Sequence, residues 1–234
     1  MTDAPSTLPL SAVIFDMDGV LVDSEPIHTE AIRDLLADHG VTYAPGHEAN
    51  FYGCTDREVF RAIRAHYHMA ADEADLASDW IARVVSLLSR PLEPMDGVPG
   101  VLHTLRNSGL RLALASSSAP RVISATLSGL GLTDVFEFAV SGHEVSRGKP
   151  APDIFLEAAR RLGLPPGACL VVEDSYNGLC AAVAAGIRCA AVPCESTARQ
   201  DFARAEVRLD SLTKLPAWVS GLGREERDRA RSGR

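Results

Sequence analysis

SAVIFDMDGVLVDS, residues 11–24, sets the reading of the whole chain. Its apolar run Ala12-Val13-Ile14-Phe15 predicts a short strand buried on both faces. Asp16 and Asp18 follow at once, then Gly19 and a second apolar run. Alternate residues of an extended segment point the same way, so the two aspartates can address one small site. Like charges that close either raise one carboxyl's pKa or need a cation between them. Gly19 lets the chain turn sharply just beyond them. An EF-hand loop does not fit, because the glycine arrives before enough ligand positions have been supplied.

Composition narrows the classes. At 234 residues the chain has room for a core domain and a smaller one. A net charge of −8 argues against a nucleic-acid partner, which needs a basic stripe. No apolar run reaches bilayer-spanning length, and Met1 to Pro9 has neither a basic start nor an apolar h-region. A cytoplasmic protein with no membrane association is therefore expected. The cysteines (Cys54, Cys169, Cys180, Cys189, Cys194) are odd in number and lack CxxC spacing, against a disulfide framework or a zinc site.

Beyond Asp23 the periodicity becomes helical. Ser24-Glu25-Pro26 predicts a helix start with serine as N-cap, and Gly40 a helix end. Thr55-Asp56-Arg57-Glu58 fits a capping box, and a third helix is predicted from about Asp72 to Leu88. Residues 24–92 thus read as an all-helical insert, and Pro91, Pro94, Gly97, Pro99 and Gly100 punctuate the return. From Val101 the texture alternates. Helices are predicted over Val101–Asn107, from Pro120, from Pro152 and over Gly178–Ala185, with Ser118 capping the second. Strands are predicted at Arg111–Ala115, Phe138–Val140, Cys169–Val172 and Ala190–Val192. Alternation of this kind implies a parallel sheet with helices on both faces. Asn177-Gly178 reads as a turn, and the tail from Gly223 as a solvated, disordered end.

Three of these strands end in chemistry: Asp16 and Asp18, then Ser116, then Glu173 and Asp174. Open parallel sheets bind ligands at their carboxyl edge. Four carboxylates there would repel strongly, whereas Mg2+ would turn them into a hard-oxygen site. Lys149, in a Gly/Pro-rich loop, can reach the same edge. Metal, lysine and hydroxyl together make a receiver for a phosphoryl group. Neither a P-loop nor a GxGxxG loop occurs to hold a nucleotide.

Asp16-Met17-Asp18-Gly19-Val20, Ser116 after LALA, Lys149 in GKPAPDIF and Glu173-Asp174-Ser175 after LVV resemble, in order, the four motifs of the haloacid dehalogenase superfamily, in its phosphatase and phosphomutase branch. The helical insert looks like the small cap of the group that includes β-phosphoglucomutase and the sugar-phosphate phosphatases. The resemblance implies an α/β fold: a Rossmann-like doubly wound parallel sheet (residues 1–22 and 95–222), an inserted all-helical cap domain (23–94) and a charged tail (223–234). It implies Asp16 as nucleophile, Asp18 as general acid and base, Ser116 and Lys149 with Ser117 around the phosphoryl oxygens, and a cis Lys149-Pro150 bond. Mg2+ would be held by Asp16, the backbone carbonyl of Asp18 and Asp174, with Glu173 a ligand or an orienter of one. Glu25 and His28 lie just past the hinge, facing the site, and in the mutase a histidine at the place of His28 gates the acid. Near where the mutase carries a sugar-phosphate-binding arginine, this chain has Asp56, with Arg57 one position on, and Arg61 and Arg64 as further candidates for a cap cation.

The expected function is a Mg2+-dependent phosphatase of a small phosphorylated metabolite, most of all a sugar phosphate, working as a monomer or weak homodimer. A β-phosphoglucomutase-type transfer is the first alternative. A non-catalytic metabolite-binding protein on the same fold is the second, disfavoured because a binder has no use for Asp18 as an acid. A carboxylate at Asp18 also favours phosphoryl transfer over carbon–halogen cleavage.

Overall fold

The structure, a computed structural model, describes residues 8–44 and 56–222, of which 56–58 as backbone only. The Thr55 capping box and the charged tail lie outside the described residues. Strand β1 (Ala12–Phe15) is followed by three helices, α1 (Glu25–Asp38), α2 (Asp56–His66) and α3 (Glu73–Leu87). Then come α4 (Val98–Asn107), β2 (Arg111–Ser116), α5 (Pro120–Gly129), β3 (Ala139–Ser141), α6 (Asp153–Leu162), β4 (Cys169–Glu173), α7 (Tyr176–Ala184), β5 (Arg188–Ala191) and β6 (Val207–Arg208).

The strands form one parallel sheet in the order β3-β2-β1-β4-β5-β6. β1 lies between β2 and β4, with Phe15 opposite Leu114 and Val172. The chain builds outward from β1 in one direction and then in the other, so the order reverses beside β1. Such a reversal leaves a crevice at the carboxyl ends of the central strands.

Side-chain alternation sorts the core. Val13, Phe15, Leu114 and Val172 pack with α4 and α5, while Ile14, Ala113 and Val171 pack with α6 and α7. Every β1 residue is fully buried, which explains a continuous apolar run instead of an alternating one. Complete burial of one such Val, Ile or Phe contributes about 1.5–3 kcal/mol.

Among the described residues the insert has no separate core. The cluster under α4 and α5 continues through Met17, Leu21 and Val22 into Leu35, Phe60, Trp80 and Val84. The two crossings run side by side: Val22 bridges Pro94, and the Met95 N–H donates to the Leu21 carbonyl at 2.8 Å. Asp72 caps α3 by accepting from the Ala74 N–H at 2.8 Å, as its position before the apolar run suggests.

Three expectations are corrected. α4 begins at Val98, not Val101, because Pro99 falls in the first turn, where a missing N–H costs nothing. Asn177 and Gly178 lie inside α7 and do not form a turn. β6 escaped the sequence reading because two residues carry no period. Among the described residues no helix is long and apolar enough to cross a membrane.

Candidate active site

The carboxyl ends of β1, β2 and β4 meet as their sequence implies. The Asp16 N–H still donates to the Val172 carbonyl at 2.9 Å, extending the ladder one residue past β1. The chain then coils tightly, with Leu21 N–H on the Met17 carbonyl at 2.8 Å. Gly19 sits at φ +77°, and a Cβ there would lie 2.3 Å from Asp174 Oδ2. Both the backbone conformation and the Asp174 carboxylate therefore demand glycine at this position.

Lys149 is 2% exposed, although it comes from a loop. Its Nζ donates to Asp16 Oδ1 at 2.9 Å and to Glu173 Oε1 at 2.6 Å. The Lys149–Pro150 peptide is cis. Burial would strip the proton from this ammonium, but the Asp16 and Glu173 carboxylates reverse that and hold it charged. Glu173 is fully buried, and its second oxygen accepts from the Ser175 N–H and hydroxyl, both at 2.9 Å. Gly178 permits this: a Cβ there would fall 1.7 Å from Glu173 Oε1.

One ligand oxygen from each of Asp16, Glu173 and Asp174 lies within 4.8 Å of the others. Three carboxylates against one ammonium leave two negative charges in a buried crevice. Burial pushes Asp16 up to about 8, against the pull of Lys149 and with help from Glu173 and Asp18. Asp174 is pushed well above the usual carboxylate range by burial, then by Glu173 and Asp16. The donor set thus fits a small divalent cation, which supplies the missing two charges and prefers carboxylate oxygen. Glu173 already accepts three hydrogen bonds from Lys149 and Ser175, which leaves Asp16 and Asp174 with more free acceptor capacity toward an ion.

Asp18 stands outside that trio with a different set of partners. Its Oδ1 accepts from the Ser24 hydroxyl at 2.5 Å and lies 3.5 Å from His28 Nε2. Its Oδ2 accepts from the Ser116 and Ser118 hydroxyls at 3.2 and 3.1 Å. Burial alone would raise this carboxyl, but His28, Ser24 and Ser118 outweigh it and hold it at about 2. Ser24 holds the N-cap position of α1 without a side-chain cap bond, and Ala119, not Ser118, is the N-cap of α5; both serine hydroxyls donate to Asp18, a charged acceptor.

The remaining candidates divide. His28 reaches the site from α1, stacked on Trp80 with ring centroids 5.1 Å apart, while Trp80 Nε1 donates to the His28 carbonyl at 3.4 Å. Glu25 opens α1, half-buried, and accepts from the Thr29 hydroxyl at 3.4 Å. Ser117 is half-buried, with its backbone against Gly142. Arg61 pairs with Glu73 at 3.6 Å on the insert surface, and Arg64 is exposed. The side chains of Asp56 and Arg57 lie outside the described residues.

Two residues at the site carry no sequence signal for a role there. Thr197 and Cys194, in the loop after β5, both hydrogen-bond Asp174 Oδ2, at 3.2 and 3.3 Å. No motif or period marks them. A serine two residues after Ser116, by contrast, could have been placed at the same strand end.

Comparison with known proteins gives the family. The family described as haloacid dehalogenase-like hydrolase matches residues 13–192. Hexitol phosphatase B of Escherichia coli (strain K12) is 35% identical over 211 residues, covering 88% of this chain and 94% of that protein. Protein CbbY of Rhodobacter capsulatus is 34% identical over 224 residues, covering 88% and 95%. The crystal structure of a mutant CbbY from Rhodobacter sphaeroides in complex with xylulose-(1,5)bisphosphate superposes with a TM-score of 0.83 at 27% identity, covering 88% of this chain and 96% of that one.

Proposed function

The chain belongs to the haloacid dehalogenase-like hydrolases, and from that membership we propose that it is a phosphatase of small phosphomonoesters, sugar phosphates above all, acting through an aspartyl-phosphate on Asp16. The observation that carries this reading is Asp16 at the crevice, 2.9 Å from a fully enclosed Lys149, with Asp18 two residues on and bound by hydroxyls from both core and insert. The similar hexitol phosphatase and the CbbY complex with a sugar bisphosphate support the substrate class.

Residues 23–94 act in this reading as a cap, and 1–22 with 95–222 as the core. Asp16 attacks phosphorus while the ester oxygen leaves with a proton from Asp18. Water then attacks the phosphoryl group, Asp18 takes its proton, and Asp16 is freed with inorganic phosphate. Lys149 neutralises Asp16 before attack, and Ser116 and Ser117 receive phosphoryl oxygens. As arranged, Asp18 is held ionised. A phosphoryl oxygen that draws the Ser116 hydroxyl removes one donor from Asp18 and moves it toward the protonated form an acid needs. Asp16, Asp174 and the Asp18 carbonyl would hold Mg2+, oriented by Glu173. When bound, the ion supplies charge neutralisation to the nucleophile and the phosphoryl oxygens.

A screen of sugar phosphates, nucleotides and other phosphomonoesters with Mg2+ tests the reading. Phosphate release without a bisphosphate activator is expected. Retention of phosphate on the product would mean a mutase, and no turnover of any ester would end the proposal. Asp18→Asn should lower turnover by about 100-fold or more while leaving metal binding largely intact. Unchanged turnover would remove its acid–base role.

The acidic cluster also predicts a pH-dependent response to Mg2+. A carboxyl raised to about 8 in the folded state favours its protonated form, so the metal-free protein loses stability as pH rises from about 4 to 8. A bound divalent ion holds the carboxylate charged and cancels that loss. Added Mg2+ should therefore raise Tm more at pH 8 than at pH 5. An equal rise at both, or none, would count against the cluster as the metal site.

A further inference from the structure

We infer that Thr197 is a positioning residue for Asp174, pinning one oxygen of its carboxylate so that the other addresses the cation. This rests on Asp174 being a metal ligand, as proposed above. Thr197 is fully buried, although it sits in the loop between β5 and β6. Its hydroxyl lies 3.2 Å from Asp174 Oδ2 and 3.5 Å from the Cys194 carbonyl. A hydroxyl has one proton, and the nearer oxygen, that of the carboxyl group, takes it. The Cys194 thiol, 3.3 Å from the same Oδ2, is a weaker second donor. Both contacts fall on Oδ2. Among the described residues Oδ1 accepts no hydrogen bond, and it is the oxygen left free for an ion.

The loop is built to hold this hydroxyl still. Thr197 Oγ1 accepts from the Cys194 N–H at 3.1 Å, and the Thr197 N–H donates to the Cys194 carbonyl at 3.2 Å. The Gln200 N–H donates to the Thr197 carbonyl at 2.9 Å, and the Gln200 side chain accepts from the Tyr176 N–H at 2.6 Å. The Val192 N–H donates to the Glu173 carbonyl at 2.7 Å. The turn is thus tied to the strand that delivers Asp174 and to the first residue of the helix beyond it. The Gly19 backbone also closes on this carboxylate, a Cβ there falling 2.3 Å from Oδ2. A buried ligand gripped at one oxygen cannot rotate when the ion leaves, and outer partners of this kind tune metal affinity.

The competing explanation is that the hydroxyl only closes the Cys194–Thr197 turn. Mn2+ binding, followed by electron paramagnetic resonance on the full-length metal-free protein, separates the two, with Tm of the same samples read alongside. Thr197→Val keeps the side-chain shape and removes the hydroxyl; it should weaken Mn2+ binding by about 10- to 100-fold. Thr197→Ser restores the donor and should bind within about threefold of the parent, since only a methyl group is lost. Cys194→Ala should have the smaller effect. If Thr197→Val lowers Tm but binds Mn2+ like the parent, the hydroxyl serves the turn alone and the inference fails. If the parent itself binds no Mn2+, the metal site is wrong at its root, a different failure from that one. Should Thr197→Val not fold, Thr197→Ala is read by the same criteria.

Discussion

Asp16→Asn is expected to lower turnover of p-nitrophenyl phosphate in Mg2+ by at least about a thousandfold, because a carboxamide cannot form the acyl phosphate. The amide is nearly isosteric with the carboxyl and can still accept from Lys149 at the place of Oδ1. The variant should therefore fold, and without metal it should be more stable than the parent at pH 8. Asp16 is one of three buried carboxylates, and burial with the Glu173 and Asp18 charges pushes it up to about 8. Removing that charge relieves repulsion, each kcal/mol of which is worth about 2–4 °C in Tm for a chain of this size. Activity and stability should thus move in opposite directions. Turnover near the parent rate would take the nucleophile role from Asp16. A large fall in Tm would mean that its charge holds the site together instead of straining it.

The fold could be read where physics is local. Ala12–Phe15 is buried on both faces, so its apolar run needed no partner to be recognised as a strand. The ends of α1 and α6 were marked by Gly40 and Gly163, both in the left-handed region. β6 was hidden because two residues gain their strand character only from β5 beside them. The site shows the same division. Asp16, Asp18, Ser116, Lys149, Glu173 and Asp174 stand at strand ends or in a marked loop and were all named from the sequence. Ser24 and Ser118 were visible as polar residues but given capping roles, since capping is the commoner fate of a serine before a helix. Nothing local says that these hydroxyls will donate to the Asp18 carboxylate, a contact set by the packing of the strand ends. The contacts of Thr197 and Cys194 with Asp174 have no local signal, because they span 23 and 20 residues of chain and follow no period.

Lys149→Met should be the most damaging single change to stability. The ammonium is buried between Asp16 at 2.9 Å and Glu173 at 2.6 Å. Methionine keeps the bulk of the chain and removes the charge, leaving two carboxylates enclosed without a counter-ion. Breaking a buried pair from one side costs about 3–5 kcal/mol, since the abandoned charge keeps its desolvation penalty. For a chain of this length that corresponds to a fall in Tm on the order of 10 °C. The sign with pH follows from the same charges. Lys149 pulls the Asp16 carboxyl down from where burial would put it, so without it the charge on Asp16 costs more; that charge is present in part at pH 8 and absent at pH 5, and the loss should be smaller at pH 5 than at pH 8. Added Mg2+ should recover part of the stability, because it supplies positive charge to the same oxygens. It should not recover turnover, which is expected to stay about 100-fold or more below the parent for want of a fixed cation beside the nucleophile. The two readouts separate the roles of the lysine. Stability lost and turnover kept would make Lys149 a structural counter-ion only. A variant unchanged in both would mean that the crevice tolerates its acids without help, and the electrostatic case for a divalent site would go with it.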